Sequence, residues 1–125
     1  MELLKIDGTS ITPLVEFNPT TGVLHLKGRS IPENSLDFYL PIYQWLDAYA
    51  ASPFNKTVLN VQLDYFNTSS SKCILDILKK IDKIDTLGKD VLIKWYYSAN
   101  DEDMMESGED YMDLIDAPFE LIEIE

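Results

Sequence analysis

The chain has 125 residues, 46% of them hydrophobic, which suits one buried core and is too apolar for a disordered acidic tail. Its 10 Lys and Arg against 22 Asp and Glu leave a net charge of −12. That field repels phosphate backbones and anionic headgroups, which argues against nucleic-acid binding and against docking on anionic membranes. No apolar stretch reaches the roughly 20 residues of a membrane helix, Met1–Asp7 lacks a secretory pattern, and the single Cys73 has no intramolecular partner. The expected compartment is therefore the cytoplasm.

In chain order, Leu3-Leu4-Lys5-Ile6 is a short apolar run ending at a turn at Asp7-Gly8. Pro13–Phe17 alternates loosely up to Asn18-Pro19, and Thr20-Thr21-Gly22 reads as a hairpin turn. Val23–Gly28 reads as a strand, with Leu24 and Leu26 on one face and Val23, His25 and Lys27 on the other. Arg29–Ser35 is a predicted loop. Asn34 or Ser35 can cap the next helix, and Pro41 sits in its first turn or kinks it if it starts earlier. Ile42, Trp45, Leu46 and Tyr49 form one apolar helical face that ends at Ser52-Pro53. Thr57–Leu63 is a predicted strand, and Asn67–Ser71 a polar connector. Ile74, Ile77, Leu78, Ile81 and Ile84 mark a second amphipathic helix that stops before Gly88.

Val91–Tyr97 is a predicted strand and Asp101–Ile115 a helix whose acidic early turns suit the positive end of its dipole. Pro118–Glu125 alternates again without a clear facing. The order β-β-β-α-β-α-β-α-β predicts an α/β fold, a single mixed sheet with about three helices. Charge is unevenly spread. All the Lys and Arg and half of the Asp and Glu lie in residues 1–94, whereas residues 95–125 hold the other half of the acids and no Lys or Arg.

Nucleophilic catalysis has little to work with, because the chain has one His and one Cys, far apart in sequence. No zinc spacing occurs. Asp101, Glu102, Asp103, Glu106, Glu109 and Asp110 are numerous enough to hold a hard cation, but the Gly required at the sixth place of an EF-hand loop is Glu106. They read first as a solvated helix face; a small metal-dependent enzyme built on this acidic cluster is the rival reading. The helix carrying Phe38, Tyr39, Tyr43, Trp45 and Tyr49 is aromatic on more than one side. A docking side, or a structural dimerisation module, is the third reading.

Asn67-Thr68-Ser69-Ser70-Ser71-Lys72 lies between a strand and a helix. One Asn, Ser or Thr suffices as a cap, and this run holds more hydroxyls than a cap needs. A phosphoryl group here would bring about −1.5 to −2 charges to the positive end of a helix.

Four segments carry a family resemblance: Leu26–Asn34, Phe38-Tyr39-Leu40-Pro41-Ile42 with Trp45, Asp64–Lys72, and Asp101–Met104 through Gly108-Glu109-Asp110. Together and in this order they resemble the SiaC family of bacterial regulatory phosphoproteins over nearly the whole chain. The resemblance implies a single SiaC-type domain over residues 1–125, with a fold like the STAS domains of anti-sigma-factor antagonists. It also implies a partner switch without enzymatic activity, cofactor or metal. By motif match Thr68 is the implied phospho-acceptor, and Asn67, Ser69, Ser70, Ser71 and Lys72 are its recognition and capping surround. The implied partners are a dedicated kinase, a PP2C-type phosphatase and a diguanylate cyclase that the unphosphorylated form binds and activates in c-di-GMP signalling; phosphorylation releases the cyclase.

Overall fold

Alternation of short β-branched runs with amphipathic stretches resolves into six strands and three helices in the computed structural model, which describes residues 1–125. The elements are β1 (Leu4–Ile6), β2 (Leu14–Phe17), β3 (Val23–Ser30), α1 (Ser35–Ala50), β4 (Lys56–Phe66), α2 (Thr68–Thr86), β5 (Asp90–Ser98), α3 (Glu102–Leu114) and β6 (Phe119–Ile124). They make one mixed sheet, as expected, and its strand order is the chain order. β1, β2 and β3 pair antiparallel; β3, β4, β5 and β6 pair parallel, each step crossing over through one helix. Crossovers of one hand that all step the same way put their helices on one face. The helices touch in series there: Tyr43 of α1 donates to the Cys73 carbonyl of α2, and Tyr111 of α3 to the Ser71 carbonyl.

The inward residues of the strands supply the sheet side of the core. Leu24, Leu26, Leu59, Val61, Ile93 and Trp95 are buried against Ile42, Leu46, Ile74, Ile77 and Leu78 of the helices. Pairing in β6 settles its facing: Phe119 sits opposite Ile93 and Leu121 opposite Trp95, so these two point to the core while Glu120 and Ile122 point away.

Parallel strands are usually covered on both faces, yet no helix covers the second face here. Its chemistry accounts for that. Lys5, Glu16, His25, Asn60, Lys94 and Glu120 lie in register across all six strands, one per strand, with opposite charges adjacent at both edges. Such cross-strand pairs are individually weak but keep the face polar. His25 is thus a solvent-facing sheet residue.

One boundary differs from the sequence expectation, and one alternative is decided, each for a local reason. β3 continues through Arg29 and Ser30, which were expected in a loop, because a register shift follows Gly28 and skips Asp64 on β4. The shift turns Phe66 rather than Tyr65 inward, where it meets Trp95 edge-on at 6.3 Å; Tyr65 stays exposed, beneath the Arg29 guanidinium. α1 starts at Ser35, so Pro41 lies inside it, on the exposed side, where the missing N–H is tolerated.

Two glycines are fixed by close approach. Gly22 turns with φ +73° and its carbonyl accepts from Val58, pinning the β2–β3 turn to β4; a Cβ there would strike the Lys56 carbonyl. Gly108 lets α3 settle on β5 and β6. A Cβ at 108 would press into the Trp95 indole and come within 2.7 Å of Leu121 Cδ2. Gly→Ala in an exposed helix normally gains about 1 kcal/mol. Gly108→Ala is expected instead to lose about 1–3 kcal/mol by overpacking, read as a lower urea midpoint. A raised midpoint would show that α3 lifts off the sheet freely.

Candidate functional site

The three crossovers bring the N-termini of α1, α2 and α3 to the same end of the sheet, beyond the C-terminal ends of the parallel strands. This is where open parallel sheets present their sites. At α2 the polar run sorts into distinct duties. Asn67 is the cap: its Oδ1 accepts from the Ser70 amide at 2.9 Å. Thr68 is the first helical residue and is exposed. Ser69 Oγ shares a 2.7 Å hydrogen bond with Ser35 Oγ of α1 and donates to Asn67 Oδ1. Ser71 Oγ donates to the Thr68 carbonyl at 2.6 Å. Lys72 is exposed one turn on. Thr68 is the one hydroxyl of the four that makes no intramolecular hydrogen bond.

Ser70 plays a different part. It is fully buried, and its Oγ accepts from Ser30 Oγ at 2.7 Å. Ser30 has one proton, so its oxygen accepts from the Tyr39 hydroxyl, also at 2.7 Å. Ser30, Tyr39 and Ser70 are all 0% exposed. This three-hydroxyl chain ties the last residue of β3 and the second turn of α1 to the first turn of α2, directly beneath Thr68. Burial pushes the Tyr39 phenol up to about 12, against the opposing pull of the Ser30 hydrogen bond. Burial also raises Tyr43 and Tyr111, whose hydroxyls donate to α2 carbonyls. All three are neutral donors near neutral pH.

A groove of about 710 Å³ opens between the first turns of α1 and α2, with Asn34, Ser35 and Leu36 on one wall and Thr68, Ser69 and Lys72 on the other. Of the six residues of the run, Thr68, Ser69 and Lys72 line this groove, Asn67 and Ser71 flank Thr68 at the first turn of α2, and Ser70 faces inward. Ser30 and Leu36 belong to the same constellation and were missed in the sequence, where Ser35 reads only as a possible cap and Tyr39 only as a helix aromatic. Leu36 and Leu40 were findable: helical spacing turns both more than a quarter-turn from the Ile42–Leu46–Tyr49 face, and they are 68% and 51% exposed. Of the α1 aromatics Tyr39 and Tyr49 are buried, and Phe38, Tyr43 and Trp45 are half-buried. Trp45 stacks on Tyr49 and meets Phe17 edge-on.

Other candidate chemistry is not assembled. His25 faces water on the open side of the sheet, while Cys73 is buried in α2 on the helix side. The carboxylates of α3 spread along its exposed surface, and no group of three or more His, Cys, Asp or Glu side chains is placed to hold a metal ion. No helix is long and apolar enough to cross a membrane.

Comparison with known proteins agrees with this architecture along the whole chain. The model of the SiaC family regulatory phosphoprotein matches residues 6–124. An uncharacterized protein of Pseudomonas aeruginosa is 31% identical over 119 residues, covering 95% of this chain and 94% of its own. The crystal structure of apo-SiaC from Pseudomonas aeruginosa superposes with a TM-score of 0.88 at 30% identity, covering 98% of this chain and 99% of that one. The SiaC chain in the crystal structure of the diguanylate cyclase SiaD with its activator SiaC, from the same organism, gives a TM-score of 0.91 at 30% identity, covering 97% and 99%. With the family model spanning nearly every residue and the same sheet and helices in these relatives, the chain belongs to the SiaC family of regulatory phosphoproteins.

Proposed function

We propose that this protein is a cytoplasmic, non-enzymatic partner switch: its unmodified form binds and activates a diguanylate cyclase, and phosphorylation of Thr68 by a dedicated kinase ends that binding. A PP2C-type phosphatase resets it. Support for the cyclase comes from the SiaC relative that is an activator of SiaD together with the shared fold. Support for Thr68 as the acceptor rests on one observation: among Thr68, Ser69, Ser70 and Ser71, only Thr68 is both exposed and free of an intramolecular hydrogen bond. A kinase reaches it without breaking the cap or the core. Asn67 holds the turn, and Ser69, Ser71 and Lys72 form the surface around it.

The added phosphate carries about −1.5 to −2 charges near neutral pH. It would sit at the positive end of α2 and on the rim of the groove, so it acts by charge and bulk at a docking surface without refolding the domain. The test is a reconstitution. Unmodified protein should raise c-di-GMP synthesis by its cognate cyclase, and stoichiometrically phosphorylated protein should not. Equal activation by both forms would overturn the switch.

A further inference from the structure

The helix-free face of the sheet is more than polar: its charges are ordered. From β1 to β6 its central row is Lys5, Glu16, His25, Asn60, Lys94 and Glu120. In sign the row runs positive, negative, two polar groups, positive, negative. Turned end for end it is its own complement, with Lys5 on Glu120, Glu16 on Lys94 and His25 on Asn60. None of the four charges is spent inside the chain, whose one ion pair is Lys80 with Asp47 between α1 and α2.

The flanking rows fit the same reversal. On one side Val23 of β3 is level with Val58 of β4; on the other are Leu14 of β2, Lys27 of β3, Gln62 of β4 and Tyr96 of β5. Reversed, Val23 falls on Val58, Lys27 on Gln62 and Leu14 on Tyr96. Val23, Val58, Leu14 and Tyr96 are half-buried, and none of them packs on the core. The three rows together hold three lysines and two glutamates, near balance in a protein of net charge −12. Here two acidic molecules can meet without like-charge repulsion.

We infer that the open sheet face docks a second copy of this chain, in a face-to-face dimer whose two-fold axis runs along the strands between β3 and β4. That axis sets β1 over β6, β2 over β5 and β3 over β4 while keeping each row level with itself. A two-fold axis lying across the strands would set every strand over itself, with Glu16 on Glu16 and Lys94 on Lys94, so the charge pattern rejects it. Aligned sheets cross at about 30°, which displaces the outermost pair, Lys5 with Glu120, and keeps the β2–β5 and β3–β4 pairs within side-chain reach. Strands about 4.8 Å apart, each contributing about 20 Å, give a contact of about 500 Å² per copy, at the lower limit for a specific interface. The dimer is therefore weak and forms with concentration. Its helices stay outside, so Thr68 of each copy remains open to the kinase, and the inference stands apart from the switch proposed above.

Sedimentation equilibrium between about 10 µM and 1 mM reads the dimer. Wild-type mass is expected to rise toward two chains. Two-fold symmetry repeats every contact, so Glu16→Lys and Lys94→Glu each turn two opposite-charge contacts into like pairs and should weaken the dimer about tenfold or more. Glu16→Lys/Lys94→Glu makes the swapped charges face each other again and should bring affinity back to within about threefold of wild type. The two single variants, each weak alone, should pair with each other when mixed, which tests the contact even where the double variant melts early. Thr68 should label fully in all of them. Wild-type protein that stays monomeric at every concentration overturns the inference. So does a dimer that these variants leave unchanged, which then lies on another surface. Single variants that shift affinity in opposite directions follow net charge alone and overturn it as well. Pairing of the mixed variants without recovery in a double variant of wild-type melting temperature would set each strand over itself and overturn the stated axis.

Discussion

Thr68→Ala protein is expected to take no phosphate from the cognate kinase and to activate the cyclase whether or not the kinase is present. The structure makes this a clean experiment, because Asn67, not Thr68, supplies the cap of α2. Thr68 is exposed and its hydroxyl makes no intramolecular bond, so the change should shift stability by no more than about 0.5 kcal/mol. The control must respect the same geometry. Replacing Ser69, Ser70 and Ser71 together would break the buried hydroxyl chain through Ser70 and confuse labelling with unfolding. Ser69→Ala/Ser71→Ala is the sound comparison, and it should label normally. Thr68→Asp adds one charge on a shorter arm, whereas phosphate adds nearly two with three acceptor oxygens; only partial loss of cyclase activation is expected from it. Full labelling of Thr68→Ala, with loss in the Ser69/Ser71 variant, would move the acceptor to a serine.

How much of this could be read in the sequence follows from the range of the physics involved. Caps, apolar periodicity and turn residues act within a few positions, and they were legible: α2 starts at Thr68, beside the hydroxyl run, and ends before Gly88. The mixed sheet followed from strands alternating with helices. The site's inner half was not legible, because it depends on pairing between distant segments. Ser30 and Ser70 are 40 positions apart, and Ser30 reaches the core as part of a strand that was expected to stop at Gly28. The register shift follows Gly28, whose φ is +120°; a glycine inside a strand is a bulge signal, but the sequence reading ends the strand there. Four hydroxyls in a row looked alike as residue types, but burial separates them: Ser70 faces the core and Thr68 faces solvent. The facing of Pro118–Glu125 was undecidable for the same reason, since only its pairing with β5 shows that Phe119 and Leu121 point inward. The exposed Leu36 and Leu40 are the opposite case, readable from helical spacing alone but masked by the more conspicuous aromatics of α1.

Removing the middle of the buried chain should cost far more than removing an end. Ser30→Ala leaves the Tyr39 and Ser70 hydroxyls buried and without their partner, since each bonds to Ser30. An orphaned buried polar group costs about 1–3 kcal/mol, so about 2–6 kcal/mol is expected in total. Tyr39→Phe removes one hydroxyl outright and leaves Ser30 bonded to Ser70, for about 1 kcal/mol. Ser30→Ala/Tyr39→Phe/Ser70→Ala removes all three polar groups and orphans none, so it should be more stable than Ser30→Ala alone despite carrying more changes. Urea denaturation of the set, analysed as a mutant cycle, reads these differences as coupling. Ser30→Ala within about 0.5 kcal/mol of wild type would mean that the two hydroxyls find other partners and that the chain is not a structural tie. Because Ser70 is also the residue whose amide Asn67 caps, the loss should concentrate at the first turn of α2. Amide exchange at Ser70 and Ser71 is expected to quicken in Ser30→Ala before exchange in β5 does, and with it the turn that presents Thr68 to its kinase loses its fixed position against α1.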